Sequence, residues 1–122
     1  MNKVLIIDDD NKNIYALTAT LKSREFLTVS ALSARDGIAL LEKDPAIAVV
    51  LMDMMMPDMD GYEAIREIKC DNKYKHLAVI AVTAQAMNGD REKCLAAGAD
   101  HYIPKPIDVD QLLLILSKYV IN

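Results

Sequence analysis

Val4-Leu5-Ile6-Ile7-Asp8-Asp9-Asp10 decides the fold of this 122-residue chain. Its four consecutive apolar residues lack the alternation of a half-exposed strand. They read instead as a parallel strand buried on both faces. Three acids follow without a break, where such a strand would reach its carboxyl end. Ile47-Ala48-Val49-Val50-Leu51-Met52 and the stretch from Leu77 to Val82 repeat the buried-strand pattern, and Asp53 and Thr83 stand directly after them. Two weaker strands are expected at Leu27–Ala31 and at His101-Tyr102-Ile103.

Helical patterns fill the intervals. Ile14, Leu17 and Leu21 recur at helical spacing up to about Glu25. A helix from about Arg35 to Glu42 has Ser33 as its cap and the Asp44-Pro45 turn as its stop. Tyr62, Ile65 and Ile68 mark a third helix. A fourth, from about Asn88 to Ala97, holds few large apolar residues, and Gly98 suits its end. Asp108 with Gln111 three residues on resembles a capping box, and Leu112, Ile115, Leu116 and Tyr119 form the apolar stripe of a last helix. Five strands alternating with five helices describe an α/β protein: a doubly wound, five-stranded parallel sheet with helices on both faces. No linker, repeat or low-complexity tract divides it, so one domain is expected over residues 1–122.

Composition narrows the function. An apolar fraction of 52% and a charged fraction of 26% are those of an ordinary globular protein. A formal net charge of −4 with no basic cluster argues against direct nucleic-acid binding. The longest apolar run is far short of the about 20 residues a membrane span needs, and the N-terminus lacks the layout of a signal peptide. Cys70 and Cys94 are too few and too far apart for a disulfide framework or a zinc ribbon. A cytoplasmic protein is the expectation.

Ligands of doubly wound sheets bind outside the carboxyl ends of the strands. Asp8-Asp9-Asp10, Asp53, Thr83-Ala84 and Pro104-Lys105-Pro106 all stand there and converge on one rim. Carboxylates so crowded repel one another, and a hard divalent cation with oxygen ligands relieves the repulsion. Mg²⁺ uses few carboxylates and takes phosphate oxygens for the rest of its shell. Lys105 adds a point charge suited to a carboxylate or a phosphoryl oxygen. A carboxylate beside Mg²⁺ and an ammonium is poised to attack phosphorus and form an aspartyl-phosphate.

More ordinary roles compete. Asp10 reads best as a helix cap, whereas capping accounts for only one of Asp8 and Asp9. Thr83 alone would be an ordinary strand-end residue, and Lys105 alone an ordinary surface lysine. Asp58-Met59-Asp60-Gly61 with Glu67 fits part of an EF-hand loop, but Met56 would occupy its first ligand position. The same residues fit the Asp-x-Asp-Gly of haloacid dehalogenase-type phosphatases, except that Pro57 separates them from the strand.

Four segments together carry a family resemblance: Val4 to Asp10, Leu51 to Gly61, Ala81-Val82-Thr83-Ala84 and Tyr102-Ile103-Pro104-Lys105-Pro106. Over essentially its whole length the chain resembles the receiver domain of two-component response regulators. The resemblance implies the flavodoxin-like strand order 2-1-3-4-5. It implies Asp53 as phosphoacceptor and Mg²⁺ (or Mn²⁺) held by Asp8, Asp9, Asp53 and the Met55 backbone carbonyl. It also implies Lys105, Thr83 and the Ala84 backbone around the phosphoryl group, Thr83 and Tyr102 as the switch pair, and a cis peptide between Lys105 and Pro106. On its own, Tyr102 reads equally as a half-buried strand residue with its hydroxyl in water.

The implied donor is a sensor histidine kinase or a histidine phosphotransfer protein, and the implied target a downstream protein or an adjoining effector domain. The chain would be a signalling phosphoacceptor rather than an enzyme, catalysing its own phosphorylation and dephosphorylation. It would be a stand-alone regulator or a receiver from a larger hybrid kinase. The methionine run Met54-Met55-Met56 is read either as packing or as a kinase-docking surface. An apolar Met55 offers no hydrogen bond to orient water, so slow self-dephosphorylation is expected. Two rival functions are a metabolite phosphatase, disfavoured by size, and a receiver-like binding module without chemistry, disfavoured by the presence of Asp53, Lys105 and the acidic pair.

Overall fold

In the computed structural model, which describes residues 2–56, 61–83 and 89–120, five parallel strands stand in the order β2-β1-β3-β4-β5. They are β1 (Lys3–Ile7), β2 (Leu27–Ala31), β3 (Ile47–Asp53), β4 (Ala78–Thr83) and β5 (His101–Pro104). The helices between them are α1 (Asn11–Ser23), α2 (Ala34–Lys43), α3 (Gly61–Cys70), α4 (Asp90–Ala97) and α5 (Val109–Leu116). The expected fold class and strand order are both observed.

The continuous apolar strands are explained by what covers them. Leu5, Ile7, Val50, Met52, Val79 and Ala81 face one layer of helices, where Leu41, Ile65, Ile68 and Cys94 complete a core. Their neighbours Val4, Ile6, Val49, Leu51, Ala78 and Ile80 face the other layer, with Leu21, Leu112 and Leu116. Side chains alternate across a strand, so β1, β3 and β4 need apolar residues on both faces between their ends. β2, an edge strand, keeps only Ala31 buried.

Helix boundaries follow from local hydrogen bonds. The Asp10 side chain accepts from the Lys12 N–H at 2.8 Å, and that of Ser33 from the Asp36 N–H at 3.1 Å. Asp108 accepts from the Gln111 N–H at 3.2 Å. Caps of this kind are each worth about 1 kcal/mol. Gly98 ends α4 at φ 119°, a left-handed conformation that glycine adopts without strain, while its N–H bonds to carbonyls of the last turn. Some expected boundaries shift. β3 and β4 each run one residue further, because Asp53 still pairs with Val82 and Thr83 with Pro104. α5 ends at Leu116, and Tyr119 lies in the turn beyond it, where its hydroxyl meets His101 Nε2 at 2.7 Å.

At the amino end of the sheet, Lys69 Nζ bonds Asp100 Oδ2 at 2.7 Å and the Leu77 carbonyl at 2.6 Å. The same Asp100 oxygen accepts from the Val79 N–H at 2.8 Å. This knot fixes the entry into β4. No helix among the described residues is long and apolar enough to cross a membrane.

Candidate functional site

Strand order alone selects the site. From β1 the chain crosses to β2 on one side, and from β3 it crosses to β4 on the other. The reversal leaves a crevice at the carboxyl ends of β1 and β3, the switch point where doubly wound sheets bind ligands. Ile7 pairs with Met52, so Asp8 and Asp53 come abreast at that point. One strand over, Asp53 pairs with Val82 and Thr83 follows. One further, Thr83 pairs with Pro104 and Lys105 follows. Each site residue thus sits at or just past the last rung of its strand.

Asp8, Asp9 and Asp53 each bring a carboxylate oxygen within 4.8 Å of the others. Asp8 and Asp53 are buried, and Asp9 is exposed. Lys105 Nζ lies 3.6 Å from Asp53 Oδ2 and 4.0 Å from Asp8 Oδ2. Backbone N–H groups orient both buried acids. That of Asp10 donates to Asp8 Oδ1 at 2.9 Å, and that of Met55 to Asp53 Oδ1 at 3.0 Å. Burial, and then the Asp53 charge, push the Asp8 carboxyl above its usual range, opposed by the Asp10 N–H and by Lys105. Three carboxylates against one ammonium leave the crevice electron-rich and hard, a donor set that fits a divalent cation with oxygen ligands.

Thr83 is buried, and its hydroxyl contacts the Met55 sulfur at 3.9 Å. Its carbonyl accepts from the Lys105 N–H at 2.7 Å. The Lys105–Pro106 peptide is cis. Beside the acids, a cavity of about 320 Å³ runs between α1 and the segment from Lys105 to Val109, walled by apolar side chains such as Leu17, Leu51 and Ile107. Among the methionines, Met54 packs against Gly61, Met56 is buried and Met55 is 43% exposed. Ala84 and Gln85, with Pro57, Asp58 and Asp60, lie outside the described residues.

Tyr102 is half-buried and its hydroxyl is not left to water. It reaches Asp90 Oδ2 at 3.5 Å, while Tyr62 donates to Asp90 Oδ1 at 2.6 Å. The Asp90 contact pushes the acidity of Tyr62 well below that of a free phenol, raising its pKa. In the sequence Tyr62 marks only the apolar stripe of a helix, and Asp90 carries no functional signal. Asp90 looks there like any acid in a first helical turn, and nothing local ties it to residues 28 and 12 positions away.

Comparison with known proteins agrees with this geometry. The family model of the response regulator receiver domain matches residues 4–117. Protein PilH of Pseudomonas aeruginosa is 34% identical, over 93% of this chain and 93% of its own. A probable histidine kinase 6 of Oryza sativa subsp. japonica is 32% identical over 98% of this chain, which spans only 14% of that protein's length. Among solved structures, the receiver domain of sensor histidine kinase PA1611 from Pseudomonas aeruginosa superposes with a TM-score of 0.86 at 31% identity, covering 97% of this chain and 96% of that one. That structure has a magnesium ion coordinated in its active site cleft.

Proposed function

Since this chain belongs to the response regulator receiver family, we propose that it accepts a phosphoryl group on Asp53 and passes the event on through Thr83 and Tyr102. The family works in phosphorelay signalling, and the acidic crevice at the switch point suits a phosphoacceptor. The observation that carries the assignment is Asp53 itself: buried, abreast of Asp8, and facing an ammonium at 3.6 Å.

The donor in this reading is a phosphohistidine on a sensor histidine kinase or a histidine phosphotransfer protein. Asp53 Oδ1 is held by the Met55 N–H, which leaves Oδ2, on the Lys105 side, as the attacking oxygen. The O–P bond forms as the P–N bond breaks, and the electron pair leaves with the imidazole. Lys105 then has a phosphoryl oxygen to pair with in place of a bare carboxylate. Mg²⁺ (or Mn²⁺), held by Asp8, Asp9, Asp53 and the Met55 carbonyl, supplies neutralisation of the charge on the transferring group. The magnesium in the neighbouring receiver structure supports this choice of ion.

Phosphorylation adds roughly −1.5 to −2 charges and three acceptor oxygens. The Thr83 hydroxyl exchanges a weak sulfur contact for one of those oxygens, and the space it leaves admits Tyr102. The Thr83–Tyr102 face then addresses a downstream protein or an adjoining effector domain. The Ala84 backbone N–H belongs to the same phosphoryl-binding set. Met55, with no hydrogen-bonding group to orient water, makes the acyl phosphate long-lived.

Incubation with acetyl phosphate and Mg²⁺ tests the assignment by intact mass. One added phosphoryl group is expected, absent in Asp53→Ala. No gain with any small phosphodonor would leave a binding module without chemistry.

A further inference from the structure

Asp90 is the one buried carboxylate among the described residues that stands outside the acidic crevice, at 8% exposure. A buried carboxylate is costly unless hydrogen-bonded. Here two phenols share it, Tyr62 from α3 at 2.6 Å and Tyr102 from β5 at 3.5 Å. Its place in the first turn of α4 adds the favourable end of the helix dipole. The ammonium of Lys93 lies 5.4 Å from the Tyr62 ring centre. An acid serving only the helix dipole would point to solvent, whereas this one joins α3, α4 and β5 at a single point.

The two bonds are unequal, and their inequality suggests a division of labour. The short one is of the charge-assisted kind and anchors Asp90 to α3. The long one sits at the limit of a hydrogen bond and can be given up. Asp90 therefore keeps a partner when Tyr102 leaves, so departure strands no buried charge.

We infer that Asp90 is a positioning residue for the switch: anchored by Tyr62, it holds Tyr102 in its resting place and so sets how readily a phosphoryl group on Asp53 turns the Thr83–Tyr102 face. The inference rests on the phosphoacceptor reading above. It adds to it a restraint that opposes switching, located one helix away from the phosphoryl site.

The test is the affinity of the full chain for beryllium fluoride with MgCl₂, followed by ¹⁵N NMR titration. Asp90→Asn keeps an oxygen for Tyr62 and turns the bond to Tyr102 into a weaker neutral one, its NH₂ group donating to the phenol oxygen. It is expected to tighten beryllofluoride binding about threefold, a share of what one hydrogen bond to a charged group contributes. In a Tyr102→Phe background the same change is expected to alter affinity by less than about twofold, because the bond it weakens is already gone. Tyr62→Phe, which takes away the anchor that stays with Asp90 when Tyr102 leaves, should act in the opposite direction, weakening beryllofluoride binding, and should also depend on the Tyr102 hydroxyl. It serves where Asp90→Asn does not fold.

A purely structural Asp90 would change affinity by the same factor in both backgrounds, or not at all, and either result overturns the inference. Failure of the unmodified chain to bind beryllofluoride would instead overturn the phosphoacceptor reading, and the inference with it.

Discussion

Gly37→Ala tests how closely α2 is seated on the sheet beside the acidic crevice. Gly37 lies inside α2 with an ordinary helical backbone, so conformational freedom does not explain its presence. In an open helix the change to alanine would stabilise the chain by about 1 kcal/mol. Here a Cβ would stand 2.3 Å from Ile7 Cδ1 and 2.7 Å from Ile7 Cγ1. Carbon atoms in contact settle at about 3.5–4.0 Å, so more than an ångström must be found. Ile7 is 1% exposed, so its side chain can give way only by moving inside a close-packed core. Overpacking of this kind costs about 1–3 kcal/mol. The net expectation is a loss of about 1 kcal/mol, or about 4 °C in Tm for a chain of 122 residues. Thermal unfolding followed by far-UV circular dichroism measures it. Ile7→Val removes Cδ1, the nearer obstacle. In that background Gly37→Ala should cost less, because only the 2.7 Å approach to Cγ1 remains, so the two changes couple. A higher Tm for Gly37→Ala alone, equal to the helix-propensity gain, would refute the reasoning.

Three further outcomes follow from the geometry. Asp8→Asn should raise the Tm of the protein in EDTA, by relieving crowded buried charge, and should abolish the Tm increase that MgCl₂ gives the unmodified chain; a lower Tm in EDTA would contradict the crowding. Asp44 bonds Lys3 Nζ at 2.8 Å, and that bond, then the Ala46 N–H, holds its carboxyl below the ordinary value of 3.8. A depressed folded-state pKa contributes stability above 3.8 that disappears as pH falls through the folded value, so Asp44→Asn should destabilise at pH 7 and match the unmodified chain in acid melts. Met55→Gln, which places a hydrogen-bonding amide near the Asp53 carboxylate, should shorten the life of the phosphorylated protein severalfold when the decay is followed by intact mass; an unchanged lifetime would remove Met55 from the hydrolytic step.

The fold was readable because burial on two faces writes itself directly into β1, β3 and β4 as unbroken apolar runs. The site was readable because residues at the carboxyl ends of those strands must meet once the strands are parallel. Apolar pattern does not encode strand order, which came from the family resemblance. The placement of Asp53 inside β3 rather than after it depends on its pairing with Val82, a contact between segments far apart in sequence. Tyr119 kept its helical spacing yet left the helix, because a turn closed by bonds to Ile115 and Leu116 preserves the direction of the side chain while ending the spiral. The Tyr62–Asp90–Tyr102 junction had no sequence signature, since each member has a common local explanation and only the assembled α3, α4 and β5 bring them together.

The bond from the Lys105 N–H to the Thr83 carbonyl, at 2.7 Å, has a mechanical consequence. It clamps the main chains of β4 and β5 together at their last rung. A phosphoryl group pulling on the Thr83 hydroxyl cannot draw β4 away from β5 without breaking that clamp. In the proposed switch the pull would be diverted into rotation about the Thr83 side chain. The clamp is then a fulcrum: the lysine assigned to the phosphoryl group also braces the strand against which the threonine would lever.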